Sequence, residues 1–178
     1  REFLPSVLSG QSFGAFGLTE PNAGSDAGGC ITTATREGDH YILNGAKCFN
    51  TNGPLADYFA VYALTQPEKK AKGLSCFLVK KGTPGFSIGK IEDKMGIRAA
   101  QVSELIFDNC KIPAENLMGE EGQGFKVAMK TLDGGRIGVA AQGLGLAEGA
   151  FEIARKYLMQ REQFGKPLYK NQYLAFKM

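Results

Sequence analysis

The hydrophobic period of this chain changes once along its length, and that change limits the folds open to it. From residue 13 to about residue 112, apolar residues come in short runs divided by Gly, Pro and Asn turns, the pattern of many short strands. Residues 30–36 and 40–44 flank Glu37-Gly38-Asp39, a hairpin signal, and Asn44-Gly45 reads as a second tight turn before 46–51. Residues 58–65, 74–79, 86–91 and 102–107 complete the series. At Ile112-Pro113-Ala114-Glu115-Asn116 the pattern stops, and Gly119, Gly122 and Gly124 make a flexible approach to a helical segment. There Phe125, Met129 and Leu132 fall at i, i+4, i+7, as do Ala147, Phe151, Ala154 and Leu158 at i, i+4, i+7, i+11. Gly134 and Gly135 are expected to break or cap a first helix. A longer one starts near Arg136 and ends at Gly165-Lys166-Pro167, and another begins within 171–178. The expected fold class is therefore α+β: an antiparallel β-sandwich or barrel, then the opening helices of an α-domain. Residues 1–12 read as the end of an upstream element and its connector, 13–118 as the β-domain, and 119–178 as an incomplete helical domain.

Composition narrows the function. A hydrophobic fraction of 43% supports a real core. The net charge of +3 is spread along the chain, which argues against a nucleic-acid surface; Lys69, Lys70 and Lys72 read as a solvated hairpin tip. Cys30, Cys48, Cys76 and Cys110 form no CxxC pair and the chain has one histidine, so no metal site is expected. Buried free thiols point to a reducing setting, cytoplasmic in a bacterium or a mitochondrial matrix. No apolar run is long enough to span a membrane. The chain starts without Met and stops inside a helical pattern, and reads as a piece of a longer protein.

One stretch is chemically unusual. An apolar run, Phe13 to Leu18, leads into Thr19-Glu20-Pro21-Asn22-Ala23-Gly24-Ser25-Asp26-Ala27-Gly28-Gly29. Such a loop at a strand end can be a polar turn, or it can present amides, hydroxyls and short side chains to a flat or anionic ligand. Asp26 is expected to tie the loop together through side chain-to-backbone hydrogen bonds, and Glu20 to brace the turn.

The stretch 17–29 resembles the signature of the acyl-CoA dehydrogenase family. Four more stretches resemble that family in the same order: Asn44-Gly45-Ala46-Lys47-Cys48-Phe49-Asn50-Thr51-Asn52-Gly53, Met95-Gly96-Ile97-Arg98, Gly122-Gln123-Gly124-Phe125-Lys126-Val127-Ala128-Met129 and Arg161-Glu162-Gln163-Phe164-Gly165-Lys166. The resemblance implies an FAD enzyme with a helical domain, a middle β-domain and a C-terminal four-helix bundle. Its reaction would convert an acyl-CoA to a trans-2-enoyl-CoA and pass electrons to electron-transferring flavoprotein. A homo-oligomer, a dimer of dimers, would be its assembly.

By the same resemblance, Phe16, Leu18, Thr19, Phe49 and Thr51 would meet the flavin, with the Thr51 hydroxyl at N5 and Phe49 where relatives often carry Trp. Asn50 stands where an aliphatic residue is usual. Ordinary strand packing is the competing role for Phe49 and Thr51. Ser25, Asp133 and Arg136 would touch the acyl-CoA, with a simple salt bridge as the alternative for the last two. Arg161, Phe164 and Gln172 would reach the FAD of a neighbouring subunit. Some relatives carry their catalytic Glu just before the arginine matching Arg136; here that residue is Gly135, so the base is expected beyond Met178 and no catalytic residue is assigned in this chain. Residues 131–140 resemble short-chain or butyryl-CoA enzymes. A flavin oxidase or monooxygenase of the same fold, or a non-catalytic scaffold, are the rival functions.

Overall fold

A computed structural model describes residues 3–178. It divides into two compact units, the first ending at Met129 and the second beginning at Lys130. In the first, a short helix α1 (Phe3–Leu8) precedes seven strands: β1 (Gly14–Gly17), β2 (Thr33–Glu37), β3 (His40–Thr51), β4 (Tyr58–Leu64), β5 (Leu74–Lys80), β6 (Phe86–Ile91) and β7 (Val102–Pro113). They form one curled sheet in the order β1-β4-β2-β3-β7-β6, with β5 on β4. Most pairings are antiparallel, as expected, but β1 and β2 both run parallel to β4.

Strand β4 shows why the sheet holds two cores. Phe59, Val61 and Ala63 project into a cluster with Tyr41, Leu43, Phe77, Val79, Leu105, Phe107 and Ile112. The alternate residues Tyr62 and Leu64 join Leu18, Cys30, Leu74, Cys76 and Ala128 on the other face. A strand covered on both faces loses the polar alternation of a half-exposed one. That explains the nearly unbroken apolar run of 58–64. The second cluster packs Phe125, Val127 and Met129 against the sheet.

Two expected features differ here. Asn44-Gly45 is not a turn; β3 runs straight through it, opposite a bulge in β7. Gly45 takes φ +142, and a Cβ there would lie 2.5 Å from Thr32 Oγ1. Gly45→Ala is therefore expected to cost about 3 kcal/mol, combining backbone strain with overpacking; urea unfolding would measure it, and a loss near zero would contradict this packing. The end of the approach, at Gly122 and Gly124, is packed against β5 and not a free linker. The Gly122 amide donates to Ser75 Oγ at 2.9 Å, and a Cβ on Gly124 would lie 2.6 Å from the Ser75 carbonyl carbon.

Helix α2 (Gly124–Gln160) crosses the division between the units. It runs unbroken through Gly134-Gly135, against the expected break, because neither residue takes the left-handed conformation that caps a helix. Glycine weakens a helix by ~1 kcal/mol relative to Ala without ending it. α2 stops at Gln160, earlier than expected, and β8 (Glu162–Gln163) pairs with β9 (Lys166–Pro167). Their two-residue turn, Phe164 at φ 55 and Gly165 at φ 68, has the positive φ pair of a type I′ hairpin. Helix α3 (Gln172–Lys177) ends the second unit. Among the described residues, no helix is long and apolar enough to cross a membrane.

Candidate functional site

The loop after β1 is held by hydrogen bonds at nearly every step. Glu20 and Ala23 exchange backbone hydrogen bonds of 3.0 Å, closing a tight turn. The Asn22 side-chain amide donates to the Gly29 carbonyl at 3.0 Å. Asp26 starts a single 3₁₀ turn (Ala27–Gly29) without a side-chain capping bond, and its backbone carbonyl takes the Gly29 amide instead. The side-chain role expected of Asp26 is thus filled by its main chain.

Glu20 braces the loop more deeply than a surface turn would need. Its side chain is buried and forms a 2.6 Å ion pair with Lys47, which is itself completely buried. The same carboxylate accepts the Ile31 amide at 2.7 Å and the Thr32 amide at 3.1 Å. Lys47 Nζ also donates to the Leu18 carbonyl at 3.2 Å. Burial pushes the Glu20 carboxyl upward, but the Lys47 ammonium and the two amides outweigh it and hold the group below its ordinary value. Glu20 is therefore an ionised anchor, occupied on every side, and not a free base. Sequence reasoning misses Lys47 as a site residue. The signal for it is its place on β3: it shares the inward parity of Tyr41 and Leu43, where a lysine needs a buried anion.

Just after Lys47, β3 leaves its register with β7 and recovers it at Asn50. Phe49 lies inside this bulge at φ 57 and is 65% exposed. A bulky residue in the left-handed region costs of order 1–3 kcal/mol and persists only where its surroundings impose it. The bulge turns the Phe49 ring out of the sheet, so ordinary strand packing does not describe this residue. Asn50 is buried and donates its amide to the Ser103 carbonyl at 2.9 Å, which accounts for a polar residue inside the sheet.

These two segments face one hollow of about 500 Å³. Phe16, Thr19, Phe49 and Thr51 line it together, with Tyr58 and Met118 among its other walls. Its surfaces are mainly apolar and aromatic, with Thr19, Thr51 and Asn52 among its polar points. That combination suits a flat ring with polar edges. Among the described residues, no carboxylate lines it. Cys48 does, as a buried thiol that burial pushes above its ordinary value. Cys76 and Cys110 are pushed up to about 11 in the same way.

Two expected residues of the first unit, Leu18 and Ser25, do not line the hollow. Leu18 is buried beneath it in the second core. Ser25 is exposed in the loop and does not line the hollow. In the second unit, Asp133 and Arg136 stand one turn apart on α2, 4.0 Å from each other and about 80% exposed. Such an exposed pair contributes little by itself, and both charges remain open to a ligand. Arg161 directly precedes β8, Phe164 sits in the β8–β9 turn and Gln172 opens α3. The positive-φ turn leaves the Phe164 ring 96% exposed.

Comparison with known proteins gives the class of this chain. The pattern described as acyl-CoA dehydrogenase, middle domain, matches residues 15–110, and that of the acyl-CoA dehydrogenase C-terminal domain matches 122–178. The chain belongs to the acyl-CoA dehydrogenase family. At the level of particular relatives, it is 54% identical to the short-chain specific acyl-CoA dehydrogenase of Clostridium acetobutylicum, over all of this chain and 47% of that protein. The structure of butyryl-CoA dehydrogenase from Megasphaera elsdenii matches with a TM-score of 0.95 and 56% identity, over 99% of this chain and 46% of that one. A chain in the structure of electron transferring flavoprotein of Acidaminococcus fermentans matches with a TM-score of 0.94 and 55% identity, over 98% of this chain and 46% of that chain. This chain spans about half the length of the relatives it matches.

Proposed function

We propose that the full-length protein carrying this chain is an FAD-dependent acyl-CoA dehydrogenase acting on short-chain acyl-CoA, with trans-2-enoyl-CoA as product and electron-transferring flavoprotein as electron acceptor. The observation that carries this is the hollow between the loop after β1 and the β3 bulge, where a strained aromatic and two threonines face one space. The residues fit the cofactor's chemistry, since a flat apolar ring with polar edges matches aromatic walls carrying side-chain hydroxyls. FAD, when bound, supplies the acceptor for the hydride leaving the substrate β-carbon. Phe16 and Phe49 would cover apolar ring surface, Thr19 would offer a hydroxyl to the ring's polar rim, and the Thr51 hydroxyl would stabilise charge as it develops on the ring. Ser25 in the first unit, and Asp133 and Arg136 in the second, would each serve the acyl-CoA, with Arg136 favouring negative charge near the thioester. Arg161 offers a planar, permanently charged donor to the pyrophosphate of a second copy's cofactor, with Phe164 and Gln172 beside it. We assign the α-proton to a carboxylate outside this chain, since Glu20 is committed to Lys47 and, among the described residues, no carboxylate lines the hollow.

The test is direct. Purified full-length protein is expected to absorb near ~450 nm from bound flavin, to bleach when butyryl-CoA is added without oxygen, and to recover when electron-transferring flavoprotein is supplied. A colourless protein with no FAD affinity would sink the proposal. Fast reoxidation by oxygen alone would replace the dehydrogenase assignment with an oxidase.

A further inference from the structure

The buried pair Glu20–Lys47 touches no part of the hollow's surface, yet the ties between the hollow's two walls pass through it or beside it. Lys47 belongs to β3 and reaches back to the Leu18 carbonyl at the end of the β1 wall, at 3.2 Å. Glu20 takes the Lys47 ammonium at 2.6 Å and the amides of Ile31 and Thr32, so one carboxylate gathers both ends of the loop onto β3. The next residue along β3 repeats the connection, with the Cys48 amide donating to the Thr19 carbonyl at 2.8 Å. The bulge then opens directly after Lys47 and closes at Asn50, held by its bond to Ser103. Cys48 and Phe49 thus hang between two buried polar anchors, and Thr19 is fixed against the first of them.

We propose that Glu20 and Lys47 are positioning residues, setting the separation and tilt of the Thr19 wall against the Phe49–Thr51 wall and so shaping the hollow for a flat ring cofactor. Net stability is a poor account of the pair, because a well-packed apolar replacement of a buried ion pair is often neutral or stabilising. What an apolar pair cannot supply is a directional link to four partners at once: the Leu18 carbonyl, the Ile31 and Thr32 amides, and the facing charge. The assignment rests on the proposal that the hollow receives FAD.

The experiment uses the full-length protein and the double variant Glu20→Leu/Lys47→Met, each stripped of flavin. Backbone amide exchange, thermal midpoint and the FAD dissociation constant are measured on both. The double variant is expected to keep a midpoint close to the original, to exchange about tenfold faster within 18–32 and 47–51 only, and to bind FAD about tenfold more weakly because the site is less preorganised. Unchanged exchange in those segments would overturn the assignment, as would faster exchange spread evenly over the sheet. Should the double variant not fold, Lys47→Arg carries the same comparison. It keeps the charge, but its wider fork does not reproduce the single donor shared between Leu18 and Glu20, so faster exchange confined to the same segments is expected and unchanged exchange overturns the idea. If the unmodified protein binds no FAD, the functional proposal fails, while the exchange comparison on flavin-free protein still decides whether the pair positions the walls.

Discussion

Glu20→Gln is expected to destabilise the full-length protein by about 3 kcal/mol, because it leaves the Lys47 ammonium buried without its counter-charge. The substitution conserves shape, so no cavity contributes, and the loss is electrostatic. Both members are buried, their separation is 2.6 Å, and water does not reach the ammonium to replace the lost charge. Denaturant unfolding at neutral pH would measure the effect; an unchanged midpoint would mean that Lys47 finds another partner and that the pair does not anchor the loop. The same pair predicts a pH dependence. Burial raises the Glu20 carboxyl, but Lys47 and the Ile31 and Thr32 amides outweigh it, so the folded group titrates below 4.5. A carboxyl whose value is depressed on folding stabilises the fold fully above its unfolded value, and that contribution is lost as pH falls through the folded value. The unmodified protein should therefore lose stability on acidification below pH 4.5, and Glu20→Gln should lose less across that window.

The second large effect concerns Thr51. If its hydroxyl serves the flavin position where charge develops, Thr51→Val should slow flavin reduction by butyryl-CoA about 10²-fold, the usual cost of removing one such donor. KM should change little, since an interaction made mainly in the transition state raises kcat without tightening substrate binding. Thr51 lies on the exposed side of β3, at the end of the strand, so valine, a good strand former, leaves the fold intact. Stopped-flow reduction under anaerobic conditions reads the rate. A rate within twofold of the original protein would remove Thr51 from the site, and a matching loss of FAD would instead make it a binding residue.

Much of the fold is legible in the residues. The change from strand to helix spacing, the hairpin at Glu37-Gly38-Asp39, which does join β2 to β3, and the buried thiols all follow from local rules. Short-range chemistry fixes them: turn residues, alternation, and the burial preferences of single side chains. The errors fall where backbone conformation is imposed by distant neighbours. Asn44-Gly45 has the composition of a tight turn, but the long partner strand β7 draws β3 straight past it and absorbs the extra residue as a bulge. Gly134-Gly135 has the composition of a helix end, but α2 continues because nothing there adopts a left-handed cap. The approach at Gly122–Gly124 has the composition of a free linker and is in fact packed on Ser75, a residue 47 positions earlier in the chain from Gly122.

The candidate site divides in the same way. The loop after β1, the motif on β3 and the family to which the chain belongs can be read directly, because they depend on residue types at fixed spacing. Which of those residues share one space cannot. Thr19 and Thr51 lie 32 positions apart in sequence, and only the sheet order β1-β4-β2-β3, with the Cys48 amide bonded to the Thr19 carbonyl, brings their segments to one hollow. The conformation of Phe49 is equally hidden, since its positive φ comes from a register shift and not from its own preference. Sequence alone supplies Glu20 as a brace and leaves Lys47 silent. Burial then decides both, because a carboxylate and an ammonium that are each unfavourable inside a sheet become stable there only when the fold places them in contact.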